Sequence, residues 1–453
     1  MKSPQTPDVL LNTVERTLSA LVANGARLCV GLSGGVDSVV LLNVLHRLAP
    51  RHAWQLSAIH VNHQLSAHAG EWAKRCRRWC RELGVTLRVV KVDVARGNSI
   101  EAAARAARNE AFRAQPAEHV VMAQHLDDQA ETVLLQLLRG TGVKGLAAMP
   151  VIRNDTERPG LRLLRPLLSI TRREIETYAA AHKLSWVEDE SNANTHFLRN
   201  FLRVEIMPRL ETRAPDYRKT LSRTAGHMAE AAHLLDVLAE MDCAGAVVDG
   251  TLPVSVLCDL PAARARNLLR YFLARHRVSM PDTRRLEEAL RQVVTAKQDA
   301  RVSIALGGHT LRRFSGRLHV VLVQQRPVLN NVALRWHLQP RLEVPELQAV
   351  LEMRRKRGAG IDLEKLLAQP VVLRLRRGGE KLRIDGARPR RHLKALFQQQ
   401  GVPPWRRDRL PCLWSGEHLV WVAGLGVDSA FQARPGAAGV VPRWVERDGS
   451  LAA

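Results

Sequence analysis

Residues 27–48 read RLCVGLSGGVDSVVLLNVLHRL, and the reading of this stretch decides the fold. Residues 27–32 are an apolar run of strand length, and residues 39–48 are an apolar run suited to a helix packed behind it. Between them, Gly34 and Gly35 permit backbone angles that a β-carbon would block, so the loop can close around an anion. Ser33 and Ser38 add hydroxyl donors. The helix that follows turns its free N–H groups and the positive end of its dipole towards the same point. Ser33, Gly34, Gly35, Val36, Asp37 and Ser38 are therefore the candidate phosphate-binding residues. The Walker pattern and its lysine are absent. Asp37 stands in the turn instead, and an acid beside phosphate makes sense where it holds a Mg²⁺ ion that bridges to a nucleotide.

Outward from this loop the pattern repeats. Residues 56–61, 85–92 and 119–123 are strand-like, and residues 70–83, 100–112 and 130–138 are helix-like. Strands alternating with helices predict an α/β domain, a parallel sheet with helices on both faces. Ligands of such sheets bind beyond the carboxyl ends of the strands. Two further segments fall there. Residues 59–65 read IHVNHQL, with His60 and His63 as possible pocket lining. Residues 125–132 read HLDDQAET, where Asp127 and Asp128 open a helix and are favoured by its dipole. Asp128 and Glu131 are three apart and share one helical face, a pair able to hold a cation such as Mg²⁺ or the ammonium of an amino acid.

The remaining chain extends this reading. Residues 170–183 form an amphipathic pattern, residues 220–241 a long helical connector, and residues 260–294 a further Arg-rich helical stretch. Residues 301–323 read as strands turning at Gly307 and Gly308. Pro340 and Pro345 punctuate a weakly patterned stretch, and residues 371–441 mix short strands with one helix near 392–400. The expected organisation is a catalytic domain over 1–215, a mostly helical middle domain over 216–330, a linker over 331–365 and a small α+β domain over 366–445.

The 453-residue chain carries 68 Lys and Arg against 44 Asp and Glu, a formal net charge of +24. That excess suits a polyanionic partner, because each basic side chain that displaces a condensed counterion adds affinity. No apolar run is long enough to predict a membrane helix, and residues 1–8 lack the pattern of a signal peptide. The six cysteines form no C-x-x-C pair, so zinc ribbons and iron–sulfur clusters are not expected; reduced thiols in a cytoplasmic protein are.

The loop S-G-G-x-D-S resembles the PP-loop of ATP pyrophosphatases, which cut ATP between its α- and β-phosphates. The segment HLDDQAET, with RGTGVKGL (139–146), RPLL (165–168) and EDESNANTHFLRNFLR (188–203), is similar to the motifs of tRNA(Ile)-lysidine synthetases. Residues 99–108 match a further family segment, with Asn109 where Tyr is expected, and IHVNHQL departs at Gln64, where Gly is usual, and at Ser66. The C-terminal stretches 401–414 and 419–428 also resemble the family.

The resemblance implies an adenine nucleotide alpha hydrolase-like PP-loop domain and a ligase using ATP and Mg²⁺. It implies adenylation of the C2 oxygen of the wobble cytidine of tRNA(Ile) with the CAU anticodon, then attack by the amine of free L-lysine. On that basis Asp37, with Asp127, is expected to hold the metal, and Asp128 and Glu131 the lysine ammonium. A carboxylate or His125 would take the proton, and Arg199 or Arg203 would hold the lysine carboxylate or an RNA phosphate. Arg312, Arg313, Arg376, Arg377, Arg391, Lys394 and Arg406 are the expected tRNA contacts, with Phe314 and Trp405 among them; neither DNA nor membrane is expected as a partner. Competing readings are a PP-loop tRNA thiolase, which usually carries C-x-x-C pairs, a small-molecule amide ligase, and a tRNA-binding protein without catalysis.

Overall fold

The computed structural model describes residues 7–64, 66, 68–93, 100–188, 190, 195–297, 300, 302–323, 332–334, 339–446 and 451–452. Leu65, Ser99, residues 191–194 of the EDESNANT segment, and 331 and 335–338 of the expected linker lie outside them. The chain divides into two units, Met1–Val237 and Leu238–Ala453.

The first unit runs α1 (Pro7–Ser19), β1 (Arg27–Gly31), α2 (Val36–His52), β2 (Gln55–Asn62), α3 (Ala69–Glu82), β3 (Thr86–Lys91), α4 (Ile100–Arg113), β4 (His119–Val121), α5 (Leu126–Leu138), α6 (Val143–Leu146), β5 (Ile152–Asn154), β6 (Arg162–Leu164) and α7 (Arg172–Ala181). A helical stretch follows as α8 (Leu198–Phe201), a π turn (Leu202–Ile206) and α9 (Met207–Arg213), and then α10 (Tyr217–Cys243), which continues into the second unit. The six strands lie in the order β3-β2-β1-β4-β6-β5. All neighbours are parallel except the edge pair β5–β6, which is antiparallel. The expected parallel sheet is present, with one antiparallel pair at its edge: a parallel return needs a long crossover, whereas the short connection from Asn154 to Arg162 suits an antiparallel pair.

The sheet's apolar strands fix the position of the site. Leu28, Val30, Val36, Val40, Leu41, Val44 and Leu45 are buried in one cluster that pins α2 against β1. Strand β1 pairs with β2 on one side and β4 on the other, so the order reverses beside it. At such a reversal the loops leaving adjacent strands diverge and open a crevice at the strand ends. The loops after β1 and β4 flank it, and they are the two that carry the glycine loop and the acidic helix start.

In the second unit, α11 (Val254–Asp259), α12 (Ala262–Arg275) and α13 (Thr283–Thr295) accompany a four-stranded sheet ordered β7-β10-β9-β8 (Leu252–Pro253, Arg317–Leu322, His309–Phe314, Ser303–Leu306). The expected single helical stretch over 260–294 is two helices, because Pro281 interrupts it and Asp282 caps the second, accepting the N–H of Arg285 at 2.8 Å. Towards the C-terminus two antiparallel sheets share one core around Leu351, Ile361, Leu373, Phe397, Leu413, Val420 and Trp444. Segments of the expected linker belong to these sheets: Arg341–Val344, Ala349–Arg355 and Ile361–Asp362 are strands, the last two paired with Gly439–Glu446. Arg341–Val344 and Ile361–Asp362 are too short to show a period, and Ala349–Arg355 opens with three buried residues in a row rather than alternating. No described helix is long and apolar enough to cross a membrane.

Candidate active site

The glycine loop is shaped by its own side chains. Gly34 has φ +99°, a conformation that a β-carbon disfavours, and a β-carbon there would also press on Cys76 Sγ at 3.4 Å. The Gly34 N–H donates to Ser38 Oγ at 3.1 Å, Ser38 Oγ donates to the Gly35 carbonyl at 2.9 Å, and the Ser33 and Ser38 hydroxyls lie 3.1 Å apart. Gly35 caps α2 without a side chain, so no side-chain oxygen fills the N-terminus. The first N–H groups of the helix stay available to an anion.

Behind the loop, His60 is buried and its Nδ1–H donates to the Leu32 carbonyl at 2.8 Å. Burial pushes its pKa below the ordinary imidazole value, so the ring stays neutral and supports the loop's base. His63 is likewise pushed down by burial. Gln64 has φ +56°, which accounts for the preference for glycine at this position; here the Asn62 side chain accepts the Gln64 N–H at 2.8 Å and holds the turn.

The acidic helix start lies across the crevice. His125 is the N-cap residue of α5, and its N–H donates to Asp128 Oδ2 at 3.1 Å. The buried His125 ring stands among three acids: Nε2 is 3.6 Å from Asp37 Oδ1 and 3.5 Å from Asp128 Oδ2, and Nδ1 is 3.6 Å from Asp127 Oδ2. Burial alone would lower its pKa, but the neighbouring carboxylates of Asp127, Asp128 and Asp37 reverse the sign and raise it. The Asp37 carboxyl is pushed up by burial, partly offset by His125 and Arg172. The structure thus brings Asp37, His125, Asp127, Asp128 and Glu131 to one place.

Two arginines missing from the sequence reading complete the arrangement. The Arg172 N–H donates to Asp127 Oδ2 at 2.8 Å, and its guanidinium donates to Asp37 Oδ2 at 2.7 Å. Arg218 on α10 donates to the other Asp127 oxygen. Asp127 is held ionised, well below the usual carboxylate range: burial opposes this, but His125, the Arg172 N–H and Arg218 prevail. Thr171 and Glu174 form a capping box that reveals where α7 begins, but nothing in the sequence says which acids its first residue would meet.

The acid pair is also matched by basic groups. Arg203 Nε and Nη2 donate to the two oxygens of Glu131 at 2.6 and 3.0 Å, and Nη2 reaches Asp128 Oδ1 at 3.2 Å. Arg199 donates to Thr132 Oγ1 at 3.2 Å and lies 3.5 Å from Glu131 Oε2. Glu131 is fully buried, and burial raises its pKa against the pull of Arg203. In this conformation Asp128 and Glu131 therefore hold an arginine where the sequence reading expected an ammonium.

Mg²⁺ fits one of its two expected ligands better than the other. Asp37 Oδ1 is buried without a hydrogen-bond partner among the described residues, with the His125 ring 3.6 Å away, and can still accept a metal ion. Asp127 already spends both oxygens on arginine donors. No group of three or more His, Cys, Asp or Glu among the described residues forms a complete cage.

The expected tRNA contacts divide by environment. Arg391 and Lys394 are exposed. Arg313 donates to the Val293 and Ala296 carbonyls at 2.9 and 2.7 Å and closes the end of α13. Arg376 pairs with Asp408 and Arg406 with Glu446, while the Arg377 N–H donates to Glu380. Arg312 lies over the Trp405 ring, 5.2 Å from its centroid, and Trp405 meets Phe314 edge-on at 5.9 Å. Trp405 is a packed anchor here, and Phe314 packs against it.

Three family models match the chain: a PP-loop domain over residues 10–210, a TilS substrate binding domain over 252–319 and a TilS substrate C-terminal domain over 371–444. Among curated proteins, the chain is 44% identical to a tRNA(Ile)-lysidine synthase of Nitrosomonas europaea, over 94% of this chain and 93% of that one. It is 41% identical to the protein of that name from Azoarcus sp., with the same coverage, and 37% identical to that from Coxiella burnetii over 95% and 94%.

Proposed function

The chain belongs to the tRNA(Ile)-lysidine synthase family, and on that premise we propose how its residues perform the ATP-dependent ligation of lysine to the C2 position of the wobble cytidine of tRNA(Ile) with the CAU anticodon. The C2 oxygen attacks the α-phosphorus of ATP, the α–β bond breaks and pyrophosphate leaves. The lysine amine then attacks C2, the C2–O bond breaks and AMP leaves. The observation that carries this reading is the open N-terminus of α2 behind a Gly34 turn, facing an acid with an unpartnered buried oxygen.

Ser33, Gly34, Gly35, Val36 and Ser38 cradle the departing pyrophosphate with N–H and hydroxyl donors. Asp37 holds Mg²⁺, which when bound offsets the negative charge of the phosphates. Asp127 keeps α7 and α10 docked rather than binding the ion. Asp128 and Glu131 receive the lysine ammonium, with Arg203 the cation paired with them until the amino acid arrives. Arg199 remains available to the lysine carboxylate or an RNA phosphate. His125 is poorly suited to accept a proton while three acids hold it charged, so an acid of the cluster is the better base.

Residues 1–215 act as the catalytic part, and 216–330 and the C-terminal sheets, which take in the strands from Arg341 to Asp362, hold tRNA in the cytoplasm. Arg391 and Lys394 are the best-placed basic contacts, because they are exposed. Incubation with ATP, labelled lysine and unmodified tRNA bearing the CAU anticodon tests the reading. Lysine incorporation with AMP release supports it, and ATP turnover without lysine transfer contradicts it.

A further inference from the structure

The segment 197–203 reads FLRNFLR, the triplet Phe-Leu-Arg twice at a four-residue spacing. On a helix that spacing stacks like residues on one face. The structure divides the faces sharply. Inward, Arg199 and Arg203 bind Thr132, Asp128 and Glu131, Leu202 is buried, and Met207 packs with Ala130 and Tyr217. Outward, Phe197, Leu198, Phe201 and Val204 are 39%, 44%, 37% and 49% exposed. The inner face is committed, so the segment cannot roll to bury its rings. The π turn at Leu202–Ile206 lies within it, a distortion that often marks a functional site.

We infer that this outer face, centred on Phe197 and Phe201, is a stacking platform for unpaired bases of the RNA loop that brings the reacting cytidine. The inference rests on the proposed function and deepens it. A cytidine attacked at C2 must leave its stack, and its neighbours then need replacement π surfaces. Phe197 and Phe201 lie in the same segment as Arg203, whose side chain touches the acid pair from the opposite face. The chain's net charge of +24 suits the RNA backbone, and two exposed rings four residues apart offer a π surface to successive bases.

The test uses the full-length protein and an anticodon stem–loop RNA carrying 2-aminopurine in place of a loop purine. The wild-type chain quenches its fluorescence on binding. Phe197→Ala and Phe201→Ala each lose quenching and weaken RNA binding by roughly tenfold or more, with ATP affinity unchanged. Phe201→Trp restores quenching, whereas Phe201→Leu, which keeps the apolar face and guards against misfolding, does not. Unchanged quenching and affinity in the alanine variants, with AMP formation intact, overturn the platform alone. A wild-type chain that forms no AMP overturns the proposed function instead. A dimer in sedimentation that Phe201→Ala dissolves, or co-flotation with anionic vesicles lost in that variant, would also overturn the platform by assigning the face to a second copy or a lipid surface.

Discussion

Arg203 grips Glu131 through two parallel donors at 2.6 and 3.0 Å, and this pairing opposes the upward push of burial on a carboxylate beside the reacting centre. Two consequences can be measured. Arg203→Met strands the Glu131 charge and lowers stability by about 2 kcal/mol in urea unfolding, a value discounted for the partial exposure of Arg203. Adding Glu131→Gln to Arg203→Met removes the stranded charge and restores much of the loss.

The same carboxylate separates the two substrates. Glu131→Ala is expected to raise the KM for lysine more than the KM for ATP, measured by AMP release over a grid of both. Equal increases would reassign Glu131 to the nucleotide or its metal.

Asp37 offers a buried oxygen without a partner, so its loss falls on the chemistry. Asp37→Ala should abolish AMP formation while the Kd for tRNA, read by filter binding, changes less than about twofold, because tRNA affinity rests mainly on distant basic contacts.

His60 sets a pH dependence. Its folded pKa lies below the ordinary imidazole value because of burial, so the unfolded chain binds the proton first as pH falls. Its contribution to stability is present above about pH 6.5 and declines below it, by at most about 1.4 kcal/mol per pH unit. His60→Asn should flatten the fall in stability between pH 7 and pH 5.5, followed by urea midpoints.

Much of the first unit was legible because its signals are local. The strand-loop-helix around Gly34 announces itself through an apolar run, two glycines and a second apolar run, and Asp128 and Glu131 through their helical spacing. Arg172 and Arg218 were not legible, since their partners Asp37 and Asp127 are 135 and 91 residues away in the chain. The last two strands of the sheet, Ile152–Asn154 and Arg162–Leu164, were missed because three residues carry almost no periodicity. Arg313 and Arg376 read as RNA contacts from the clustering of arginines; their internal partners, the Val293 and Ala296 carbonyls and Asp408, lie too far along the chain for the sequence to show.

The cysteines make a simple check of the fold. All six are free thiols, and only Cys258 is exposed. Burial pushes the pKa of Cys29 up to about 11 and those of Cys76 and Cys412 up to about 12. A disulfide reagent should therefore modify one thiol rapidly in the native protein and all six after denaturation.

The account turns on which phosphate bond of ATP is cut at the loop after β1. With α-³²P-labelled ATP, lysine and unmodified tRNA bearing the CAU anticodon, thin-layer separation of the products should show labelled AMP, with pyrophosphate released in equal amount. Labelled ADP, or ATP left intact in the presence of both substrates, would contradict it.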